Sequence, residues 1–455
     1  MSELRRAGTP ATGLSRRLRG GEPSSRVGFG CSLAGAYNVV GQVLDSVVVM
    51  HADSGCVHLN LANHFSTDLR GLAFEPAGSA LRVAGRLVGT GLTQREVVFG
   101  GEAKLAAAII DADRRFKPKL ITVLTACVAD LIGDDVLGVI AETRPKVAAR
   151  VIAVSSGGIC TGSFDAGMTA AYRTLIEELV PGPQPREPRV VNVLAEKNLY
   201  LGEEREFAEI ARLLGGLGAR VGCRLVRRVT TTEMARAGAA ALNLPRDRDY
   251  GIVLARQLEQ ATGVPYLERE YPAGRVATRE WLIAVGEALE LGAAARELVA
   301  VEESRYRERL ELARSSLAGK RLVVVAGAAN PGWIVELALD LGLIVTRVCF
   351  LGESEPSILA ALAEAGVPAT QAADAEVALA EARDLGAQLV LVPYGLARAI
   401  DGAAVRSLPS LPPTGYTVLN EAETWARLAR RPEVEGWRRD ADWAASERGT
   451  GEASR

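Results

Sequence analysis

Three cysteines, each next to a glycine or at the end of an apolar run, are the residues of this sequence best suited to chemistry. Cys31 follows Gly30, Cys56 follows Gly55, and Cys127 follows an apolar run. In an α/β protein the loops that leave the strands converge at one edge of the sheet, so thiolates on such loops can meet around one metal centre. A glycine beside a ligand lets the backbone approach a bulky cluster and direct N–H groups at its sulfurs. The pattern favours one iron–sulfur site over three unrelated buried thiols, the other common role of apolar cysteines.

The elements that must position these cysteines follow from an alternation of strand-like and helix-like apolar patterns, which is typical of an α/β protein. Residues 27–180 are predicted to form a first α/β domain, with candidate strands Ser46–Met50, Leu120–Leu124 and Ala149–Val154. All three cysteines fall inside this domain. The segment Pro181–Pro188 ends it, because its four prolines exclude a helix or a central strand.

Two further α/β domains are predicted, over residues 189–315 and 316–430. The candidate strands of the second domain are Val190–Leu194, Arg220–Leu225, Ala239–Leu242 and Val264–Tyr266. Its bridging helix is expected to run nearly without a break from Thr278 to Ala313, which is rich in Ala, Leu, Glu and Arg. Polarity predicts a disordered basic arm over residues 1–26 and a flexible tail over residues 431–455.

Composition limits the classes of partner. The 455-residue chain has 53 Lys and Arg against 55 Asp and Glu, so no broad attraction to nucleic acid or to a membrane surface is expected. No apolar stretch reaches the roughly 18 residues of a membrane span. Six cysteines spread over a long chain without a secretory signal do not suggest a disulfide framework, so we expect a reducing cytoplasm. The phosphate-loop pattern G-x-x-x-x-G-K-S/T does not occur, so ATP hydrolysis of that kind is not expected.

Three segments, in this order, resemble the nitrogenase component 1 family. Residues 30–36 read GCSLAGA and match the family's first ligand segment. Residues 51–57 read HADSGCV and are similar to H-G-x-x-G-C-V, with Ala52 in place of the family's glycine. Residues 125–135 read TACVADLIGDD and match T-T-C-x-x-x-x-I-G-D-D, the most specific of the three. The resemblance covers nearly the whole chain, from residue 27 to residue 430.

This resemblance implies three Rossmann-like parallel-sheet domains of the nitrogenase component 1 type, with an iron–sulfur cluster between two related subunits. Cys31, Cys56 and Cys127 would be this chain's ligands to an 8Fe-7S cluster of the P-cluster type or to a 4Fe-4S cluster. Three thiolates leave a four-iron cluster one ligand short, which argues for a partner chain. The resemblance also implies a separate homodimeric ATP-binding iron protein that docks over the cluster and passes on electrons one at a time.

The resemblance further suggests which subunit this chain is. Catalytic subunits of the family hold a large metal cofactor through a cysteine of the second domain and a histidine of the third. Here residues 242–248 read LNLPRDR, and the histidines are His51, His58 and His64, all in the first domain. A beta-type subunit that pairs with an alpha-type subunit is therefore implied. Cys160 lies next to the position of a serine that the family's beta subunit carries near the cluster, so it is a candidate extra ligand or an unligated buried thiol.

Three functions remain open at this stage. The first is the relay subunit of a nitrogenase-like reductase, with methylthio-alkane reduction as the leading substrate class. The second is a non-enzymatic scaffold for cofactor assembly, and the third is a subunit of a tetrapyrrole reductase. Scaffold partners tend to lack the full cysteine set, so the three cysteines together favour the relay.

Five other residues carry smaller expectations. Cys223 and Cys349 lie in apolar strands and are expected in the core. Asp134 and Asp135 are expected to cap a helix rather than to act as acids or bases. His51 is expected either to orient the Cys56 loop or to be an ordinary residue at a strand end.

Overall fold

Runs of β-branched and apolar residues form the strands, and segments rich in Ala, Leu, Glu and Arg form the helices, as their intrinsic propensities favour. The computed structural model describes residues 30–62, 86–158, 162–196, 203–248, 250–327, 331–354, 356–393, 403–409 and 412–430. Its strands are β1 (Ser46–His51), β2 (Arg86–Gly89), β3 (Leu120–Thr125), β4 (Arg150–Val154), β5 (Glu187–Leu194), β6 (Arg220–Leu225), β7 (Ala240–Pro245), β8 (Arg321–Ala326), β9 (Ile344–Leu351), β10 (Ala369–Ala372), β11 (Leu389–Val392) and β12 (Ala404–Ser407).

The α-helices lie between these strands and around them. They are α1 (Ser32–Val40), α2 (residues 54–62), α3 (Gln94–Phe99), α4 (Glu102–Phe116), α5 (Cys127–Ile132), α6 (Val136–Thr143), α7 (Phe164–Leu179), α8 (Glu203–Leu217), α9 (Thr231–Ala235), α10 (Tyr250–Thr262), α11 (Arg275–Ala288), α12 (Gly292–Leu317), α13 (Gly332–Asp340), α14 (Pro356–Glu364), α15 (Ala375–Asp384) and α16 (Leu419–Ala429). Within the described ranges, none of the helices has the length and apolarity that crossing a bilayer would require.

Two compact units contain the three sheets, and all strand pairs in them are parallel. The first unit, which includes residues 22–272 and 278–300, holds one sheet in the order β2-β1-β3-β4 and another in the order β6-β5-β7. The second unit, with residues 273–277 and 301–455, holds the sheet β10-β9-β8-β11-β12. Three parallel-only sheets confirm the predicted fold class. The predicted domain boundaries stay a prediction, and the predicted arm and tail lie outside the described residues.

Both faces of the first sheet are covered, as expected for parallel strands. Successive residues of β1 point to opposite faces, so Val48 and Met50 pack in one apolar cluster with α1 and α7. Val47 and Val49 pack in a second cluster with α4. Strands β1 and β3 are therefore buried along their whole length. The loops that follow them leave from a rigid centre.

Two expectations in the second predicted domain differ from the structure. The expected long helix is two helices, α11 and α12, because Glu290 adopts a left-handed conformation with φ of 59°. At this break the N–H of Leu291 donates to the carbonyl of Gly286 at 2.6 Å. The predicted strand Val264–Tyr266 is reduced to a single bridge between Asn243 and Tyr266. In both cases the residue types favour a helix or a strand, but the chain changes direction there, and the residue types do not indicate that change.

Helices α1 and α7 pack backbone to backbone, and this contact positions the start of α1. A Cβ atom at Gly35 would lie 1.9 Å from the carbonyl oxygen of Phe164, and one at Gly167 would lie 1.9 Å from that of Ser32. An isolated antiparallel bridge also joins Cys31 to Ser163. Cys31, the residue before α1, is therefore held against the first turn of α7.

We predict that Gly35→Ala lowers the free energy of unfolding of the first unit by about 1–3 kcal/mol, because its methyl group meets a backbone atom that cannot rotate away. Gly215→Ala is the matched control: Gly215 lies in α8 with nothing within 4 Å of an added Cβ. That control should be neutral or stabilising by up to about 1 kcal/mol. Urea denaturation followed by circular dichroism measures both, and equal midpoints for the two variants would contradict the packing described here.

Candidate metal centre

Cys56 and Cys127 reach one edge of the first sheet because its strands all run in the same direction, and the packing of α1 on α7 brings Cys31 to them. Strand β1 leads into α2, whose third residue is Cys56, and β3 leads into α5, whose first residue is Cys127. Strand β4 leads to the loop Ser156–Gly158 at the same edge. The carboxyl ends of parallel strands are where α/β proteins build their sites. Sheet topology thus gathers segments that are far apart in the chain.

Gly158 is the point at which two of the thiols meet. A Cβ atom placed on this glycine would lie 3.5 Å from the Sγ of Cys127 and 3.9 Å from the Sγ of Cys31. It would also lie 3.0 Å from the Cβ of Cys31, closer than side chains normally approach. The loop is fixed at this place because the Ser156 hydroxyl donates to the carbonyl of Thr125 at 2.9 Å. Glycine therefore leaves space beside both thiols that a larger residue would fill.

Cys56 lies within electrostatic range of the other two thiols. The pKa of Cys56 is raised to about 11, first by burial, then by a hydrogen bond to Asp53 and by the charges of Asp53, Cys31 and Cys127. Asp53 Oδ1 also accepts the N–H groups of Gly55 at 2.7 Å and Cys56 at 3.1 Å. At neutral pH Cys56 is therefore a protonated thiol, and a metal that binds it must displace that proton.

The arrangement suits a cluster with several irons better than a single ion. Thiolates around one tetrahedral metal lie within about 4 Å of each other, since each metal–sulfur bond is about 2.3 Å long. Across the part of the chain that the structure describes, no three His, Cys, Asp or Glu side chains are grouped tightly enough to hold one ion. Cys31 is exposed, and Cys56 and Cys127 are half-buried, so the thiols stand open to a group outside the fold. Three cysteine thiols are donors of the kind that iron–sulfur clusters take.

Asp130 places a buried carboxylate oxygen at this edge of the sheet. It lies one helical turn after Cys127, and its Oδ2 atom is buried without a hydrogen-bond partner among the described residues. The same atom would lie 1.9 Å from a Cβ atom at Gly157. Buried oxygen atoms normally have a donor. This orphaned oxygen lies beside the loop against which the two thiols pack.

The candidate glycines and Cys160 have different outcomes. Gly30 has φ of +113°, a conformation that favours glycine, directly before Cys31. The N–H of Gly55 donates to Asp53, so this glycine holds the turn before Cys56. Cys160, the candidate extra ligand, lies outside the described residues. That Gly30, Gly55 and Cys160 contribute to cofactor binding remains a prediction.

Asp134 and Asp135, the acidic pair after α5, have different roles. Asp135 caps α6 as expected, accepting the N–H of Gly138 at 2.9 Å. The same expectation is wrong for Asp134, which accepts from His51 at 2.8 Å and from the N–H of Gly101 at 2.9 Å. A helix cap can be predicted from the position of a residue just before the helix. The contact of Asp134 with His51 joins residues 83 positions apart, so it gives no local signal in the sequence.

Other cysteines behave as expected, and one functional residue was missed. Cys223 and Cys349 are buried, as core residues should be. Asp53, which controls the Cys56 thiol, was not singled out from sequence. The signal for it was available: an Asp followed by a helix start is an N-cap pattern, and the N-cap side chain reaches the second and third N–H groups of the helix.

The family model described as Nitrogenase component 1 type Oxidoreductase matches residues 31–400 of this chain. The chain belongs to that family. The matched region begins at Cys31 and includes Cys56 and Cys127, so the family assignment confirms the resemblance seen in the three motifs. Iron–sulfur binding is typical of nitrogenase component 1 proteins.

Similar proteins come from two branches of the family. The nitrogenase molybdenum-iron protein alpha chain of Methanothermobacter thermautotrophicus is 29% identical over 340 residues, which are 72% of this chain and 70% of that protein. The nitrogenase iron-molybdenum cofactor biosynthesis protein NifE of Methanococcus maripaludis is 26% identical over 324 residues, which are 70% of this chain and 64% of that protein. This chain therefore spans less than two thirds of that second protein. A solved structure called Nitrogenase Cp1 at pH 5 matches 92% of both chains with a TM-score of 0.65 at 21% identity, a likeness that shows the fold.

We predict that Asp53→Asn speeds alkylation of Cys56 in the metal-free protein. The Asp53 charge favours the neutral thiol, so its removal lowers the pKa of Cys56 and increases the thiolate fraction at a given pH. Below the pKa, each unit of this decrease raises the thiolate fraction about tenfold, and the alkylation rate rises by somewhat less because a less basic thiolate is a weaker nucleophile. Iodoacetamide labelling between about pH 7 and pH 10, read by mass spectrometry, measures the rate.

Asparagine keeps the helix cap, so the fold is preserved in this comparison. Cys127 in the same protein is the internal control, and its labelling rate should change less than that of Cys56. A Cys56 rate that stays the same or decreases in the variant would show that Asp53 does not control this thiol.

Proposed function

We propose that this chain is one subunit of a nitrogenase-like reductase and that it holds an iron–sulfur cluster through Cys31, Cys56 and Cys127. The observation that carries the proposal is that Cys31 and Cys127 lie beside Gly158, with Cys56 in electrostatic range of both, on a partly exposed edge of a parallel sheet. When bound, such a cluster accepts and donates electrons one at a time. The chain's own residues hold it, limit its contact with water and fix its distance from docking proteins.

An alpha-type partner subunit supplies the ligands that this chain lacks. Cys31 is exposed in the isolated chain, which is unusual for a cysteine and costly beside a reactive cluster. We therefore place the cluster at a subunit interface, as an 8Fe-7S cluster shared by both chains or a 4Fe-4S cluster completed by the partner.

An apolar surface beside Cys127 supports docking of a separate homodimeric ATP-binding iron protein. It is made of Val98 and Phe99, 72% and 82% exposed on α3, and Leu131, 65% exposed on α5. Helix α3 packs against α5, which begins with Cys127. Exposed apolar groups of this size usually mark a binding surface. A protein docked here would deliver electrons over a short path to the cluster.

The beta-type role rests on the sequence and on one local contact. Residues 242–248 contain no cysteine, and no histidine follows His64. In the structure, Asp247 Oδ1 accepts the N–H groups of Tyr250 and Gly251, so this stretch starts α10 rather than presenting a metal ligand. The relatives reported above are alpha chains and cofactor biosynthesis proteins, so the beta-type role and methylthio-alkane reduction remain predictions.

A scaffold for cofactor assembly is the second candidate, favoured by the similarity to NifE proteins. The two roles differ in a measurable way. A reductase subunit supports substrate reduction with its partner, the iron protein and ATP, while its iron content stays constant. A scaffold instead transfers a metal cofactor to an acceptor protein. A reducing cytoplasm suits both, and the described cysteines are free thiols.

The first prediction of this proposal concerns iron. Anaerobic protein that is co-purified with its partner should contain acid-labile sulfide and either about eight or about four irons per pair at this site. Cys127→Ala should lose most of that iron and the associated electron paramagnetic resonance signal. Cys349→Ala is the matched control, because Cys349 lies in the second compact unit and should leave the iron unchanged.

The iron count also separates the branches. About eight irons support a P-cluster-type relay, and about four support a tetrapyrrole reductase or a scaffold. The cluster proposal fails if partner-bound protein contains no iron, or if Cys127→Ala and Cys349→Ala lose it equally.

The second prediction concerns docking. Phe99→Ala should weaken binding of the iron protein by about tenfold or more, because truncating a large exposed aromatic anchor removes most of its contact area. Iron content should not change, since Phe99 does not reach the thiols. Leu312→Ala is the control, because Leu312 is 76% exposed on α12, in the second compact unit. Anaerobic biolayer interferometry measures the affinity, and equal affinities for both variants would exclude this surface.

A further inference from the structure

A buried histidine–aspartate pair connects the segments that carry Cys56 and Cys127. His51 Nε2 lies 2.8 Å from Asp134 Oδ2, and the two side chains are 0% and 2% exposed. His51 ends β1 and precedes Cys56 by five residues, whereas Asp134 follows Gly133 at the end of α5. The pair is therefore covalently close to both thiol-bearing segments.

Every polar atom of this pair has a partner, so its orientation is fixed. His51 Nδ1 lies 3.1 Å from Thr90 Oγ1, and Thr90 Oγ1 accepts the N–H of Ala52 at 3.1 Å. The Asp134 carboxylate accepts the N–H of Gly101 with both oxygens, at 2.9 and 3.1 Å. A buried polar group that loses its partner pays its full desolvation penalty, so these contacts resist distortion.

His51 contacts both ends of α5. At the start of the helix, the N–H of Ala126 donates to the carbonyl of His51 at 3.0 Å. At its end, the His51 side chain holds Asp134. Cys127 is the first residue of this short helix, so the direction of its thiol depends on how the helix is oriented. Without the second contact, α5 is tied to β1 at one end only.

We propose that His51 and Asp134 are positioning residues for the iron–sulfur site. By holding the far end of α5, the pair sets the spacing between the thiols of Cys56 and Cys127. The inference rests on the proposed function for its purpose, but the spacing itself exists in the metal-free protein. It can therefore be tested separately from cluster binding.

Two matched pairs of variants isolate the contact. Asp134→Ala removes it, whereas in Asp134→Asn the amide oxygen still accepts from Gly101 and the amide N–H donates to His51 Nε2 when the imidazole carries its proton on Nδ1. In His51→Asn the amide nitrogen takes the place of Nδ1, so the contact with Thr90 is kept and the contact with Asp134 is lost. In His51→Gln the amide nitrogen takes the place of Nε2, so the contact with Asp134 is kept. Asp113→Ala is the control. Asp113 also accepts a backbone N–H, that of Ala149 at 2.9 Å, but this contact does not involve the segments that carry the cysteines.

The experiment measures cross-linking between Cys56 and Cys127 in metal-free protein by a short and a long bis-maleimide, with mass spectrometry of the linked peptides. Asp134→Ala and His51→Asn should lower the short-to-long ratio by at least about fivefold, the factor expected for one lost buried hydrogen bond. Asp134→Asn, His51→Gln and Asp113→Ala should retain the native ratio. Circular dichroism identifies variants that do not fold. If a variant of one pair does not fold, the cross-linking ratios of the other pair, at Asp134 or at His51, test the proposal.

A native ratio in a folded Asp134→Ala or His51→Asn variant would overturn the proposal, as would the absence of any Cys56–Cys127 link in the native protein. Partner-bound protein gives a second readout: the cluster's electron paramagnetic resonance signal should change in Asp134→Ala and be restored in Asp134→Asn. If native protein binds no iron, the proposed function fails, and the cross-linking ratio still decides whether the pair positions the thiols.

Discussion

Parallel pairing of β1 with β3 is the interaction on which the site depends. The register places His51 opposite Thr125, so the segments that lead to Cys56 and Cys127 leave the sheet side by side. Both strands are buried on both faces, so a slip by one residue would exchange the side chains that pack in the two apolar clusters and disrupt both. The close packing of α1 on α7 then brings Cys31 to the same edge. Three thiols from distant parts of the chain thus meet because of the sheet, without any bond between them.

What could be predicted from sequence is what short segments determine. Strand β3 was placed to within one residue because an apolar run between polar residues is a local signal. The roles of Asp134 and Asp135 could not be separated, because the preference for an acidic residue before a helix does not say which of two neighbours faces solvent. The break at Glu290 was missed for a similar reason, since helix propensity does not register a turn imposed by packing.

The electrostatics of the cysteines link metal binding to assembly. Cys56 is held as a neutral thiol by burial and by Asp53, so iron must release a proton on binding. Cys31 is exposed, so the isolated chain offers little protection from water or oxygen on that side. The first effect disfavours adventitious metal at neutral pH, and the second makes retention depend on a partner. Stable loading is therefore expected only when cluster and partner are both present.

The rigidity of the site bears on the choice between relay and scaffold. A group that must be handed on needs ligand segments that can open at low cost, such as mobile loops with few buried contacts. Here the segment around Cys127 is tied at both ends to His51, and the loop beside it is tied to Thr125. Moving these segments would break buried hydrogen bonds and central strand contacts together. Ligand segments held this firmly would retain the proposed cluster, and retention of a one-electron centre is what electron relay requires.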